Sequence, residues 1–201
     1  MTAPVALPPS VRRIAFDDLD PADRVGYEAA FEQADTGLSE GGVPVGSSIV
    51  RNGEVIASRR NRRVQEGDPI AHGEMNALRL AGRQPTYRDV TLHTTLAPCM
   101  MCTGTIIQFK IPRIVVGEAQ TFPGNFDVLA EAGVEILLLD HGPSIDLMTR
   151  FQTEYPEVWA EDIAEDTAED IAEDIAEDIA EDTAEDTADD AADDTLDDTA
   201  H

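Results

Sequence analysis

The sequence predicts an α/β fold of three layers, with helices on both faces of a mixed central sheet. Helix and strand signals alternate from Asp68 onward, the order that builds strands joined by crossover helices. A hairpin signal precedes that alternation, so the sheet is not wholly parallel. Residues 161–201 hold 20 of the 41 acids and no Lys or Arg, and the 160 residues before them are the size of one domain. A chain of that length buries about two thirds or more of the surface it exposes when unfolded.

Each element follows from local chemistry. Asp20 is an N-cap, Pro21 takes the first helical position, and Val25, Tyr27, Ala29, Ala30, Phe31 and Ala34 supply the apolar residues behind Asp23, with Gly37 as the expected stop. After Gly41-Gly42-Val43-Pro44-Val45-Gly46, an apolar run to Val50, the turn pair Asn52-Gly53 and the run Glu54 to Ala57 form the hairpin signal. Asp68-Pro69 repeats the cap-plus-proline signature and predicts a helix through Ala81, followed by a Thr-rich strand from Val90 to Leu96. Pro98 stands where the next helix begins, running through Gln108, and Ile114-Val115-Val116 reads as a strand. Phe126 to Ala132 is helical with Gly133 as its stop, Val134 to Leu139 is a buried strand, and Ser144 caps a last helix toward Tyr155-Pro156. Ligands of such sheets bind near the strand ends.

Charge excludes several classes of function. The chain has 41 acids against 14 bases, a net −27, and the first 160 residues alone carry 21 against 14, or −7. Such a surface repels phosphate backbones and anionic lipid, so neither nucleic acid nor membrane is an expected partner. No run approaches the roughly 18 apolar residues of a membrane span, and Pro4, Pro8 and Pro9 interrupt any leader-like segment, which makes the cytoplasm the expected location. The bases are thirteen Arg and the single Lys110, and together with the acidic excess they point to a protein that works in concentrated salt, where self-repulsion is screened. Residues 1–165 are expected to form the domain, with 1–19 as an N-terminal arm. Residues 166–201 form a four-residue acidic repeat, read as a disordered or loosely helical tail because its like charges repel at i and i+4.

The only cysteines are Cys99 and Cys102, too close together to be a disulfide framework. By itself this Cys-x-x-Cys pair is equally a redox centre or half of a structural zinc site. His72-Gly73-Glu74 in the first turns of one helix and Asn61 in the loop before it change that reading. Cys99 and Cys102 lie one turn apart on a helix face, where the helix N-terminus favours thiolates. Two thiolates and the His72 imidazole give zinc three ligands, and with no further cysteine the fourth position is left for water, the mark of a catalytic site. Glu74 is placed to carry protons without being a ligand. His-x-Glu followed by Pro-Cys-x-x-Cys is the established signature of zinc nucleobase deaminases.

The chain resembles the cytidine/deoxycytidylate deaminase superfamily over most of residues 25–163, and within it the fungal-type cytosine deaminases. The stretches that carry the likeness are Glu40 to Gly46, His72-Gly73-Glu74, Thr94 to Gly104, Ile111-Pro112-Arg113, Val115 to Glu118, and Trp159 with Glu161-Asp162-Ile163. The resemblance implies a cytidine deaminase-like fold, one zinc per subunit on His72, Cys99 and Cys102, and Glu74 as the proton shuttle. It implies that Asn61 bonds the pyrimidine carbonyl and Asp162 the exocyclic amine. Phe122, Trp159 and Ile163 would close an apolar lid, with the backbones of Val45, Gly73 and Ala97 lining the pocket. Ala97 stands where the fungal enzymes have serine, and Met100 replaces an acid. The implied reaction is cytosine to uracil with release of ammonia, in a homodimer whose helices after the two zinc-binding segments pack across the two-fold axis.

Other residues read as structural. His93 in its strand and His141 in its loop have no partner pattern, and Met100 and Met101 are pocket wall and helix packing. Arg59, Arg60, Arg62 and Arg63 offset the acidic surface. Two alternatives stand beside the cytosine reading: a deaminase of the same fold acting on a nucleoside, guanine or tRNA adenosine, and a non-catalytic zinc or redox module with an acidic interaction tail.

Overall fold

The computed structural model describes residues 8–163, in two units divided between Tyr155 and Pro156; the tail expected over 166–201 lies outside the described residues. The N-terminal arm contributes a strand the sequence did not announce, β1 (Val11–Arg13), too short and too basic to show an alternation. The helix signalled by Asp20-Pro21 is α1 (Pro21–Ser39), and the Asp20 carboxylate accepts the Asp23 N–H at 2.9 Å. Gly37 does not end it. That glycine serves a close approach, since a Cβ there would lie 3.3 Å from the Val43 carbonyl oxygen. The chain leaves the helix instead at Gly41, whose φ is +75°.

The hairpin is β2 (Gly46–Arg51) and β3 (Glu54–Arg60), joined through Asn52 and Gly53 with φ of 52° and 82°, the pair of positive values that a two-residue turn between twisted strands requires. Asp68-Pro69 does not open the next helix. A short helix α2 (Arg63–Glu66) comes first, the Asp68 side chain accepts the Ile70 N–H at 3.0 Å, and α3 (Gly73–Ala81) starts only at its cap residue His72. The same short acceptor that caps helices here closes a turn.

The remaining elements fall close to their predicted places: β4 (Val90–Leu96), α4 (Met100–Gln108), β5 (Arg113–Glu118), α5 (Phe126–Glu131), β6 (Glu135–Leu138) and α6 (Gly142–Glu154). Ser144 is not the cap of α6. His141 holds that position, and Ser144 lies in the first turn with its hydroxyl 2.7 Å from the Tyr27 phenol. In the second unit, α7 (Pro156–Asp162) follows with Pro156 at its start.

Strand order is β1-β6-β5-β4-β2-β3. β1, β6, β5 and β4 are parallel, while β2 runs antiparallel to both β3 and β4, so the sheet is mixed. Helices α1 and α6 pack on one face, and α3, α4 and α5 on the other. Alternation along the strands divides the core accordingly: Leu92, Ile114, Val116, Ile136 and Leu138 belong to the cluster on the α3–α5 side, and Val115, Leu137 and Leu139 pack with Tyr27 and Leu19. Among the described residues no helix is long and apolar enough to cross a membrane. At their C-terminal ends β4 and β5 release the chain into residues 97–99 and 119–125, and the site forms there.

Candidate functional site

His72 caps α3 and Cys99 caps α4, so two helix starts meet beyond the sheet, and Cys102 sits one turn inside α4. Cys99 Sγ lies 3.6 Å and Cys102 Sγ 3.9 Å from His72 Nδ1, and the three ligand atoms all fall within 4.8 Å of one another. Tetrahedral zinc with bonds of about 2.3 Å to sulfur and 2.0 Å to nitrogen sets neighbouring ligand atoms about 3.5–3.8 Å apart. The cluster therefore fits one zinc ion, and both cysteines are free thiols rather than a disulfide.

Local hydrogen bonds set this arrangement. The Asn76 side chain in α3 donates to the carbonyls of Arg60 at 3.1 Å and Ala71 at 3.0 Å, which ties the turn before His72 to the end of β3. The Thr103 N–H donates to the Cys99 carbonyl at 2.8 Å, the first turn of α4. Cys99 is held down to about 4, first by the hydrogen bond from Cys102, with the His72 ring also lowering it against the cost of burial. The Cys102 thiol is pushed up by its bond to Cys99, by burial and by the nearby Glu74, so it holds its proton more firmly. Zinc binding releases that proton, because thiolate is the ligating form.

Glu74, in the first turn of α3, is 3 % exposed. Burial, and after it the charge of Cys99, raises its carboxyl above the ordinary glutamate range, while His72 opposes them. The Thr94 hydroxyl on β4 donates to Glu74 Oε1 at 3.2 Å. Sequence reasoning missed this contact. Its signal is Thr94 lying on the same strand face as Leu92, toward α3.

Asn61 is buried just past β3. Its Oδ1 accepts the Arg63 N–H at 2.9 Å, which fixes the orientation of the side-chain amide. The Asn61 N–H donates to the Val45 carbonyl at 2.7 Å, and a Cβ at Gly73 would come within 3.0 Å of that same oxygen. Val45, Asn61 and Gly73 thus share one corner, and only glycine lets α3 approach it so closely. Ala97 is buried, and its N–H donates to the Glu118 carbonyl at 2.9 Å. Phe122 is half-buried in the loop after β5. Trp159 and Asp162 lie on α7 in the second unit, with Ile163 directly after it, its N–H 3.2 Å from the Trp159 carbonyl.

The sequence profile described as the cytidine and deoxycytidylate deaminase zinc-binding region matches residues 22–118. A cytosine deaminase of Candida albicans is 46 % identical over 143 residues, covering 70 % of this chain and 95 % of that enzyme. A tRNA-specific adenosine deaminase of Streptococcus pyogenes serotype M1 is 33 % identical over 105 residues, covering 51 % of this chain and 61 % of that enzyme. Among solved structures, a protein in complex with 2,6-diaminopurine superposes with a TM-score of 0.56 at 23 % identity, covering 71 % of this chain and 84 % of that one, a likeness of fold.

Proposed function

The chain belongs to the cytidine and deoxycytidylate deaminase family, and on that premise we propose that it converts free cytosine to uracil with release of ammonia. The carrying observation is the 46 % identity that runs through 95 % of the Candida albicans cytosine deaminase. Zinc held by His72, Cys99 and Cys102 supplies the activation of water near neutral pH. Glu74 takes one proton from the attacking water and passes it to ring N3, then takes the remaining proton from the new C4 hydroxyl and delivers it to the amine, so that ammonia leaves as the C4–N bond breaks and the carbonyl forms. Its raised affinity for protons suits a group that must both accept and return one. With Oδ1 engaged by the Arg63 N–H, Asn61 donates through Nδ2 to the pyrimidine carbonyl. Asp162 accepts from the exocyclic amine, and Phe122, Trp159 and Ile163 cover the flat faces of the base, with Val45, Gly73 and Ala97 lining its edge.

The reading extends to a homodimer, a cytoplasmic location and a role in pyrimidine salvage. Support for the dimer comes from apolar side chains on and just after α3 and α4: Leu80, Met100 and Phe109 are about half exposed, and Phe109 lines a groove of about 470 Å³ together with Met75, Leu78 and Tyr87. The arginines around a second groove, near Asn76, do not favour a tRNA substrate. Arg62 pairs with Glu66 at 2.6 Å and with Glu40 at 3.5 Å, and Arg79 with Asp68 at 3.8 Å, so much of their charge is answered within the protein.

The test is ammonia release by the zinc-loaded protein in molar KCl, offered cytosine, cytidine, guanine and adenine side by side. Turnover of cytosine that falls by roughly a thousandfold or more in Glu74→Gln is the expected result. Preference for another base keeps the zinc chemistry and discards the assignments of Asp162 and the lid.

A further inference from the structure

Glu118 ends β5 with its side chain wholly buried, and none of the proton or metal chemistry above uses it. A carboxylate is costly to bury unless donors converge on it. Here the donors all come from the next residues of the chain. Oε2 accepts the Gln120 N–H at 2.6 Å and the Thr121 N–H at 3.0 Å, and Oε1 accepts the Thr121 hydroxyl. The far end of the same loop is pinned as well. Gly124 has φ +66° and packs so closely that a Cβ there would lie 2.7 Å from the Ala97 Cβ, and the Asn125 side chain reaches the Pro98 carbonyl at 3.4 Å. Ala97 in turn bonds the Glu118 carbonyl. Loop 119–125 is therefore fastened at one end by a buried charge and at the other to the segment that leads into Cys99, with Phe122 between the two anchors.

We propose that Glu118 is a positioning residue: its carboxylate fixes loop 119–125 so that Phe122 stands as a formed wall of the pocket before substrate arrives. The inference rests on the proposed cytosine reaction for the role of Phe122. An apolar residue would fill the end of a buried strand without needing any partner. The carboxylate is explained by the loop it holds, because its three donors all lie there. A wall formed in advance lowers the ordering cost of binding and leaves the chemical step unchanged, so the effect belongs in KM.

The test uses the full zinc-loaded chain with Glu118→Gln, which keeps size but turns an NH2 group toward donors that need an acceptor. Thr121→Val, which removes only the hydroxyl, is the milder second variant. For Glu118→Gln the expected outcome is a KM for cytosine raised roughly tenfold with kcat within about twofold and zinc content unchanged. Amide exchange over 119–123 should quicken by roughly tenfold while 100–108 keeps its protection. Thr121→Val should shift both readouts in the same direction by less, and it carries the test if Glu118→Gln does not fold. Unchanged exchange over 119–123 overturns the proposal, as does faster exchange spread through the sheet, which would make Glu118 a general stabiliser. A loosened loop with KM unaltered overturns the link to binding. If the wild-type protein turns over no cytosine, the functional reading fails separately, and the exchange experiment still decides whether Glu118 fixes the loop.

Discussion

Thr94 shows how one hydroxyl bears on the chemistry. Glu74 is nearly enclosed, and its Oε1 takes the Thr94 hydroxyl at 3.2 Å, which restricts rotation of the carboxylate. A buried charge relies on such donors, since a hydrogen bond to an ionised group contributes about 1.5–3 kcal/mol. Thr94→Val is nearly isosteric, so it removes the bond and little else. Kinetics should show kcat reduced by roughly 10–100-fold with KM and zinc content unchanged, and Thr94→Ser should recover most of the loss. A fall in zinc content, or a serine variant as poor as valine, would assign Thr94 to packing instead. The metal ligands were legible in the sequence because residue type and spacing constrain them, Glu74 was singled out by its place in the same His-x-Glu motif, and the role proposed for Asn61 came only from the family resemblance. Thr94 was not legible, since it acts on a neighbour that only the folded sheet brings near, and Glu118 was not, since an acid at a strand end does not announce that it is buried and bonded to its own following loop.

At the scale of elements, the buried cluster of Asp23, His93 and Arg113 ties α1 to two strands. Asp23 is 3 % and His93 0 % exposed; the Arg113 guanidinium donates to Asp23 at 2.7 Å, and the second ring nitrogen of His93 lies 3.2 Å from the same carboxylate. Burial acts to raise the Asp23 carboxyl, but the bonds from His93 and Arg113 outweigh it and hold Asp23 well below the ordinary carboxylate range. Burial also lowers His93, with Asp23 opposing it, so the ring takes up a proton less readily in the folded protein. Both folded values lie below their unfolded ones, so both groups favour the folded state at higher pH. The His93 contribution is lost as pH falls below 6.5, its unfolded value, and that of Asp23 as pH falls below 3.8. Thermal unfolding followed from pH 8 to pH 3 should thus show a Tm that declines in two steps, and Asp23→Asn should cost about 3 kcal/mol at neutral pH. A Tm in Asp23→Asn equal to wild type would remove the cluster as a brace. The sequence marked α1 clearly through Asp20-Pro21, yet Asp23 looked only like a favourable first-turn acid, and Asp68-Pro69 offered the same signal for a turn. Cap chemistry is local, whereas which side of the turn a chain takes depends on where the following helix packs.

For the whole molecule the deciding quantity is charge. Exposed ion pairs such as Arg12 with Glu135 at 3.5 Å and Arg150 with Glu154 at 2.7 Å weaken as salt is added. Pairs this exposed contribute little to stability. Against them stand 41 acids and only 14 bases, so most carboxylates have no basic partner to lose. Raising salt to 1 M shortens the Debye length to about 3 Å and removes repulsion between carboxylates farther apart than that. Repulsion outnumbers attraction, so salt should stabilise the chain. Relief of 1–2 kcal/mol corresponds to a rise of roughly 2–8 °C in Tm for a chain of this size. Melting in KCl from 0.1 to 3 M, on the full chain and on a chain ending at residue 165, should give a rise in both, larger in the full chain. Shortening removes Asp and Glu without removing any Lys or Arg, so a full-chain rise absent from the short form would place the salt response in the repeat. A Tm flat or falling in both would mean that the domain tolerates its −7 in dilute buffer, and the inference of a protein built for concentrated salt would be withdrawn.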